Sequence, residues 1–188
     1  MANVNHSTLT DPYLHEPKGV GSAGTGTVYV ADGAGSGSWL EKTRYIGAYV
    51  AFDSTTPAYQ HTCTTSDTII DPTFTVSESN GFSGVASPNA RLVYTGTEDI
   101  DVQIVFTVSS KQASAGDRDV EWSIWKNGVE LGGSRAVRTH STGSWGSISV
   151  FSYTRLTTND YLEVKVKADG SCTVDIASAY MSIMGSAH

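Results

Sequence analysis

The chain has 188 residues, with 12 Lys+Arg against 19 Asp+Glu and a formal charge of −7, a length that suits one domain or one domain with an arm. The acidic balance opposes binding to a nucleic-acid backbone, which needs clustered Lys and Arg. No apolar run nears the ~20 residues of a membrane-spanning helix, so no membrane insertion is expected.

Charged residues make up 16%, below the about 25% of an average soluble chain, and Ser, Thr and 19 Gly take their place. Aromatics at 10% are too frequent for a disordered chain. The first eight residues, Met1-Ala2-Asn3-Val4-Asn5-His6-Ser7-Thr8, offer neither a basic nor an apolar segment, so no signal peptide is expected and the sequon Asn5-His6-Ser7 carries no meaning.

Residues 1–43 differ from the rest. Asp11-Pro12-Tyr13-Leu14-His15-Glu16-Pro17-Lys18 leads into a Gly-rich run, then Thr27-Val28-Tyr29-Val30-Ala31, then Asp32-Gly33-Ala34-Gly35-Ser36-Gly37-Ser38-Trp39. Too few apolar residues are present to build a core, yet a plain spacer has no use for Tyr13, Leu14, Tyr29, Val30 and Trp39 between flexible joints. The pattern predicts an extended arm whose anchors dock on another surface, or wrap its own domain.

From residue 45 onward the signal is period-two alternation, the mark of strands with one buried face. Strands are expected at 45–53, 69–76, 91–95 and 100–108, with Pro57 and Pro72 as breaks or edges. In the fourth, Val102, Ile104, Phe106 and Val108 share one face. Strand 119–125 alternates Val120, Trp122 and Ile124 with Glu121, Ser123 and Trp125. Asn127-Gly128 then signals a type I′ hairpin turn, which needs positive φ at both central positions. The return strand starts at 129–131, with a bulge at Gly132-Gly133 before residues 136–138.

Further strands are expected at 147–153 and 161–167, the latter with Leu162, Val164 and Val166 inward and Glu163, Lys165 and Lys167 outward. The last strand, 173–184, holds a phase problem. Val174 and Ile176 lie on one face, whereas Ala177, Ala179, Met181 and Ile183 continue on the other. Either a bulge shifts the phase near Ala177 or both faces are covered. Double coverage would place Ala179, Met181 and Ile183 at a subunit interface, together with the outward aromatics Trp125, Phe151 and Tyr153. About eight strands at turn spacings of roughly 8–12 residues predict an all-β sandwich or jelly roll.

The motifs that could carry chemistry are weak. Gly19-Val20-Gly21-Ser22-Ala23-Gly24 matches a dinucleotide fingerprint but lacks the preceding strand and following helix that would aim backbone N–H groups at a pyrophosphate. The five histidines, His6, His15, His61, His140 and His188, are scattered, and His140-Ser141 are neighbours in sequence only. The carboxylates Asp99/Asp101 and Asp117/Asp119 read as solvated strand ends, a Ca²⁺ site needing more oxygen ligands. Cys63 and Cys172 lack metal-site spacing. They read as unpaired thiols, the alternative being one disulfide whose large loop would contribute about 4–5 kcal/mol. No catalytic residue, metal or cofactor is expected.

Two segments carry a resemblance. Leu14-His15-Glu16-Pro17-Lys18-Gly19, with Gly26-Thr27-Val28-Tyr29-Val30-Ala31-Asp32-Gly33-Ala34-Gly35-Ser36-Gly37-Ser38-Trp39, resembles the amino-terminal signature of tailed-bacteriophage head-fibre or capsid decoration proteins. Tyr161-Leu162-Glu163-Val164-Lys165-Val166 before a last apolar strand is similar to the tumour-necrosis-factor/C1q type of jelly roll, which usually forms trimers. Together these imply an antiparallel jelly-roll β-sandwich at 44–188 and an extended, Gly-rich arm at 1–43. They imply a homotrimer on the virion capsid surface, assembled in the host cytoplasm. Its partner would be the major capsid protein, met through Tyr13, Leu14, His15, Pro17, Tyr29, Val30 and Trp39. The alternative is a tail-fibre or receptor-binding tip whose partner is a host-surface glycan or protein, with Trp122, Trp125, Trp145 or tyrosines as stacking platforms. An enzyme ranks behind both.

Overall fold

The computed structural model describes residues 23–24, 27–31, 37–41, 45–53, 58–84, 91–114 and 116–187, in two compact units, 1–43 and 44–188. Among the described residues there is no helix, and every paired strand is antiparallel.

In the first unit, β1 (Thr27–Ala31) and β2 (Gly37–Glu41) form a hairpin, so the expected extended arm folds back on itself here. Tyr29 lies opposite Trp39 in register, and their rings meet edge to face at 5.4 Å and 64°. Val28 and Val30 take the alternate positions and are exposed. Tyr13, Leu14, His15, Pro17, His6 and the sequon lie outside the described residues, as does the Gly-rich fingerprint up to Ser22.

The second unit contains β3 (Tyr45–Asp53), β4 (Tyr59–Cys63), β5 (Thr68–Ile69), β6 (Thr75–Asn80), β7 (Phe82–Gly84), β8 (Leu92–Tyr94), β9 (Ile100–Gln112) and β10 (Arg118–Lys126). It continues with β11 (Val129–Glu130), β12 (Ala136–His140), β13 (Gly146–Leu156), β14 (Tyr161–Ala168) and β15 (Cys172–Ala187). One sheet runs β13-β9-β15-β3-β6, with β4 also on β15; the other runs β11-β10-β14-β8-β7, with β12 on β10 and β5 on β14.

The pairings define the topology. Taking β3, β8, β9, β10, β12, β13, β14 and β15 as a ribbon, the first strand pairs the last, β8 pairs β14, β9 pairs β13 and β10 pairs β12. That nested order is a jelly roll, eight strands wrapped as a doubled hairpin.

The core lies between the sheets. Ile104, Phe106 and Val108 of β9 and Val150 of β13 face Trp122 and Ile124 of β10 and Val164 and Val166 of β14, all buried. Phe106 and Trp122 meet across the layers with ring centroids 6.0 Å apart. The turn after β10 has the expected backbone, with φ of 50° at Asn127 and 78° at Gly128. Asn127 also closes the end of the sheet: its side-chain carbonyl accepts the Tyr161 N–H at 2.9 Å, and its amide donates to Asp160.

Three expectations change. The strand at 69–76 divides at Pro72 into β5 and β6, which belong to different sheets. Gly132-Gly133 form a turn rather than a bulge, with φ of 76° at Gly133. The phase problem of the last strand is solved by a bulge: the register of β15 on β9 shifts between Ile176 and Ser178. Val174 and Ile176 before it, and Ala179, Met181 and Ile183 after it, therefore all face the core.

Candidate assembly face

Because the even-numbered residues of β9 fill the core, Gln103, Val105 and Thr107 stand on its outer face, and register fixes their neighbours. Val105 lies between Phe151 of β13 and Ser182 of β15, and Ser182 pairs Tyr49 of β3. One row along, Gln103 lies between Tyr153 and Met184. On the other side Thr107 lies between Ser149 and Tyr180, which pairs Ala51. Across these three rows the four strands carry no charged residue.

The face is nonetheless open. Phe151 is 52% exposed, Tyr153 63%, Met184 44% and Tyr49 37%. Tyr49 and Tyr180 stack at 6.2 Å with a 16° interplanar angle, and the Thr107 and Ser149 hydroxyls share a hydrogen bond of 2.8 Å. Charge returns at the margins. Arg155 donates two hydrogen bonds to Asp101 at 3.0 and 3.1 Å in the row beyond Tyr153, and Asp53 stands exposed at the end of the row Ser147, Ser109, Ser178. An uncharged patch with exposed aromatics and a charged rim is the form an interaction surface takes.

The outer face of the opposite sheet has the contrary character. Glu163, nearly fully buried although it points outward, holds Arg91 at 2.9 Å and Lys165 at 3.3 Å. The Lys165 ammonium sits 3.7 Å from the centroid of the Trp125 ring, and Arg91 covers Tyr161 at 4.2 Å. Arg135 reaches Glu130, Asp67 and Glu121 at 2.6, 3.1 and 3.0 Å, contacts that raise its pKa further. Lys167 adds a second contact to Glu121 at 3.2 Å. These charges satisfy one another and need no outside partner.

The expected interface residues thus divide three ways. Phe151 and Tyr153 lie on the uncharged face. Trp125 points outward but on the opposite sheet, under Lys165, so it shares no patch with them. Ala179, Met181 and Ile183 are core positions, because the bulge reverses their phase. The residues missed were Tyr49, Val105, Tyr180 and Met184; alternation along β3 and β9 already turns Tyr49 and Val105 outward, whereas Tyr180 and Met184 become legible only once the bulge on β15 is placed.

The other candidates disperse. Tyr29 and Trp39 occupy one face of the amino-terminal hairpin and Val30 the other. Trp122 is core, whereas Trp145 is 46% exposed beneath Lys111 at 4.9 Å. His140 is buried and its Nε2 meets Ser110 Oγ at 3.3 Å rather than Ser141, and burial lowers its pKa. Asp101 is paired to Arg155, and Asp119 accepts the Thr139 hydroxyl. Among the described residues no three His, Cys, Asp or Glu gather as a metal site.

No family model matches the chain, and no curated protein does. Solved structures with a similar sandwich include an Eiger TNF from S. frugiperda, at 11% identity over 74% of this chain and 91% of that one, with a TM-score of 0.47. Murine APRIL at pH 5.0 is similar at 9% identity, over 73% and 98%, with a TM-score of 0.44. The PRD1 vertex protein P5 is similar at 15% identity, over 76% and 96%, with a TM-score of 0.41. The jelly-roll order stands on the strand pairings themselves: the domain is an all-β antiparallel sandwich.

Proposed function

We propose that this chain is a structural protein of a tailed-phage virion: a homotrimer that decorates the capsid, held there by residues 1–43. The observation that carries the reading is the uncharged outer face of β13-β9-β15-β3, with Phe151, Tyr153, Met184 and Tyr49 open to solvent. A second copy of the same surface is a partner of matching chemistry, and repetition around an axis would bury three such faces together. The trimer is the state that the TNF/C1q-type resemblance implies.

The anchoring role is supported by the amino-terminal hairpin. A two-stranded sheet is marginal in water by itself. Here Val28 and Val30 are exposed on one face, while Tyr29 and Trp39 occupy the other. Docking would bury both at about 25 cal/mol per Å², and three arms per trimer multiply the attachment through effective concentration. Deleting residues 1–43 should abolish binding to undecorated capsids while leaving the β-domain folded; binding at the full-length level would overturn the anchoring role. Antibody labelling of intact particles should mark the head throughout, and labelling confined to the tail would replace decoration by receptor binding.

A further inference from the structure

The amino-acid sequence keeps its two cysteines far apart, but the fold sets them face to face. Cys63 ends β4, Cys172 begins β15, and the two are directly opposed in the antiparallel ladder. Both are buried, and both are free thiols. Opposed residues of an antiparallel pair hold their Cβ atoms about 4.5–5.5 Å apart, whereas a disulfide needs roughly 3.5–4.5 Å. Closure therefore asks for a small approach of two strands already hydrogen-bonded to each other.

We propose that Cys63 and Cys172 form a cross-strand redox staple, closing to an intrachain disulfide by exchange with a low-molecular-weight disulfide such as oxidised glutathione. The position gives closure a structural consequence. Immediately after Cys63, the Thr64 carbonyl accepts the Ala168 N–H of β14 at 2.8 Å, and β5 then joins β14. The chain thus leaves one sheet for the other at this point, and the staple would pin that crossing to β15.

The two thiols have different parts. Burial and the neighbouring Cys172 push the Cys63 thiol up to about 12, so it holds its proton. Cys172 is also raised by burial, but the neighbouring Cys63 thiol and the charge of Arg118 act against that rise. It follows an exposed Ser171 at the strand's start, the end a small reagent can reach. The Cys172 thiolate attacks one sulfur of the reagent, giving a mixed disulfide and releasing one small thiol. Cys63 then gives up its proton, and its thiolate attacks Cys172 Sγ and expels the second small thiol. Two protein thiols are oxidised by two electrons in all, and the reagent is reduced to two thiols that carry off the protons.

The test refolds the full chain from urea in oxidised-plus-reduced glutathione, with a parallel sample kept in reductant. The expected product is a chain with both thiols lost, its mass lower by two hydrogen atoms, and a Cys63–Cys172 cross-linked peptide after digestion. Its urea midpoint should exceed that of the reduced sample, because the cross-link restricts the unfolded chain. A refolded chain that keeps both thiols, or carries glutathione on either, would overturn the proposal. So would an oxidised form with the lower midpoint, since strain would then oppose closure. Cys172→Ala should leave no intrachain cross-link; the wild-type comparison decides the matter even if that variant does not fold.

Discussion

Replacing Phe151 and Tyr153 by Ser should separate assembly from folding. An aromatic residue presents roughly 200 Å² when open, so exposures of 52% and 63% leave the pair with roughly 230 Å² in water. Covering all of it would contribute about 5–6 kcal/mol per subunit at 25 cal/mol per Å². If half is covered, three subunits together lose about 9 kcal/mol, which weakens the trimer's association by roughly six orders of magnitude. The isolated domain loses only the cross-strand contacts to Val105 and Gln103, each about 0.2–1 kcal/mol. Light scattering across a dilution series, with circular dichroism beside it, should show a trimer for the parent chain and a folded monomer for the double variant. A trimeric double variant, or a parent chain that is monomeric at high concentration, would refute the reasoning.

The remaining expectations concern the fold. Met181→Asp should unfold the domain rather than dissociate it, because Met181 is 3% exposed inside the sandwich and a buried unpaired carboxylate costs several kcal/mol; a soluble monomer with native circular dichroism would return this residue to the surface. Trp122→Ala should cost about 3–5 kcal/mol in urea unfolding, since it removes the largest fully buried side chain from its contact with Phe106; a loss under about 1 kcal/mol would argue against that packing. Asp160 is pulled upward by burial, but Lys126 at 2.8 Å, the Thr157 N–H and Asn127 outweigh this and hold it at about 2. Its folded value lies below the ordinary 3.8, so its contribution, about 2 kcal/mol, is complete above pH 3.8 and lost as the pH falls through 2. Asp160→Asn should therefore destabilise at pH 7 and make little difference near pH 2, as stability measured against pH would show.

Period two in the sequence was enough to find β3, β9, β10 and β14, because a strand with one buried face must alternate whatever it packs against. The Asn127-Gly128 turn was equally legible, since its positive φ values are a local demand on two residues. Alternation says which residues share a face, but not which neighbour that face meets. Hence Trp125 and Phe151 looked alike in sequence, yet β10 and β13 turn their outer faces to opposite sides of the sandwich. A bulge changes the phase at one residue and leaves only a local ambiguity, so Ala179, Met181 and Ile183 could be read as surface until the register of β15 on β9 placed them in the core. Glu163 and Cys63 make the same point for chemistry. What buries the first, Arg91 and Lys165, and what faces the second, Cys172, are set by pairings between strands from distant parts of the chain. Local sequence determined the strands and their turns, while long-range strand pairing decided which side chains meet and which face stays open, because those contacts are made only when the ribbon wraps.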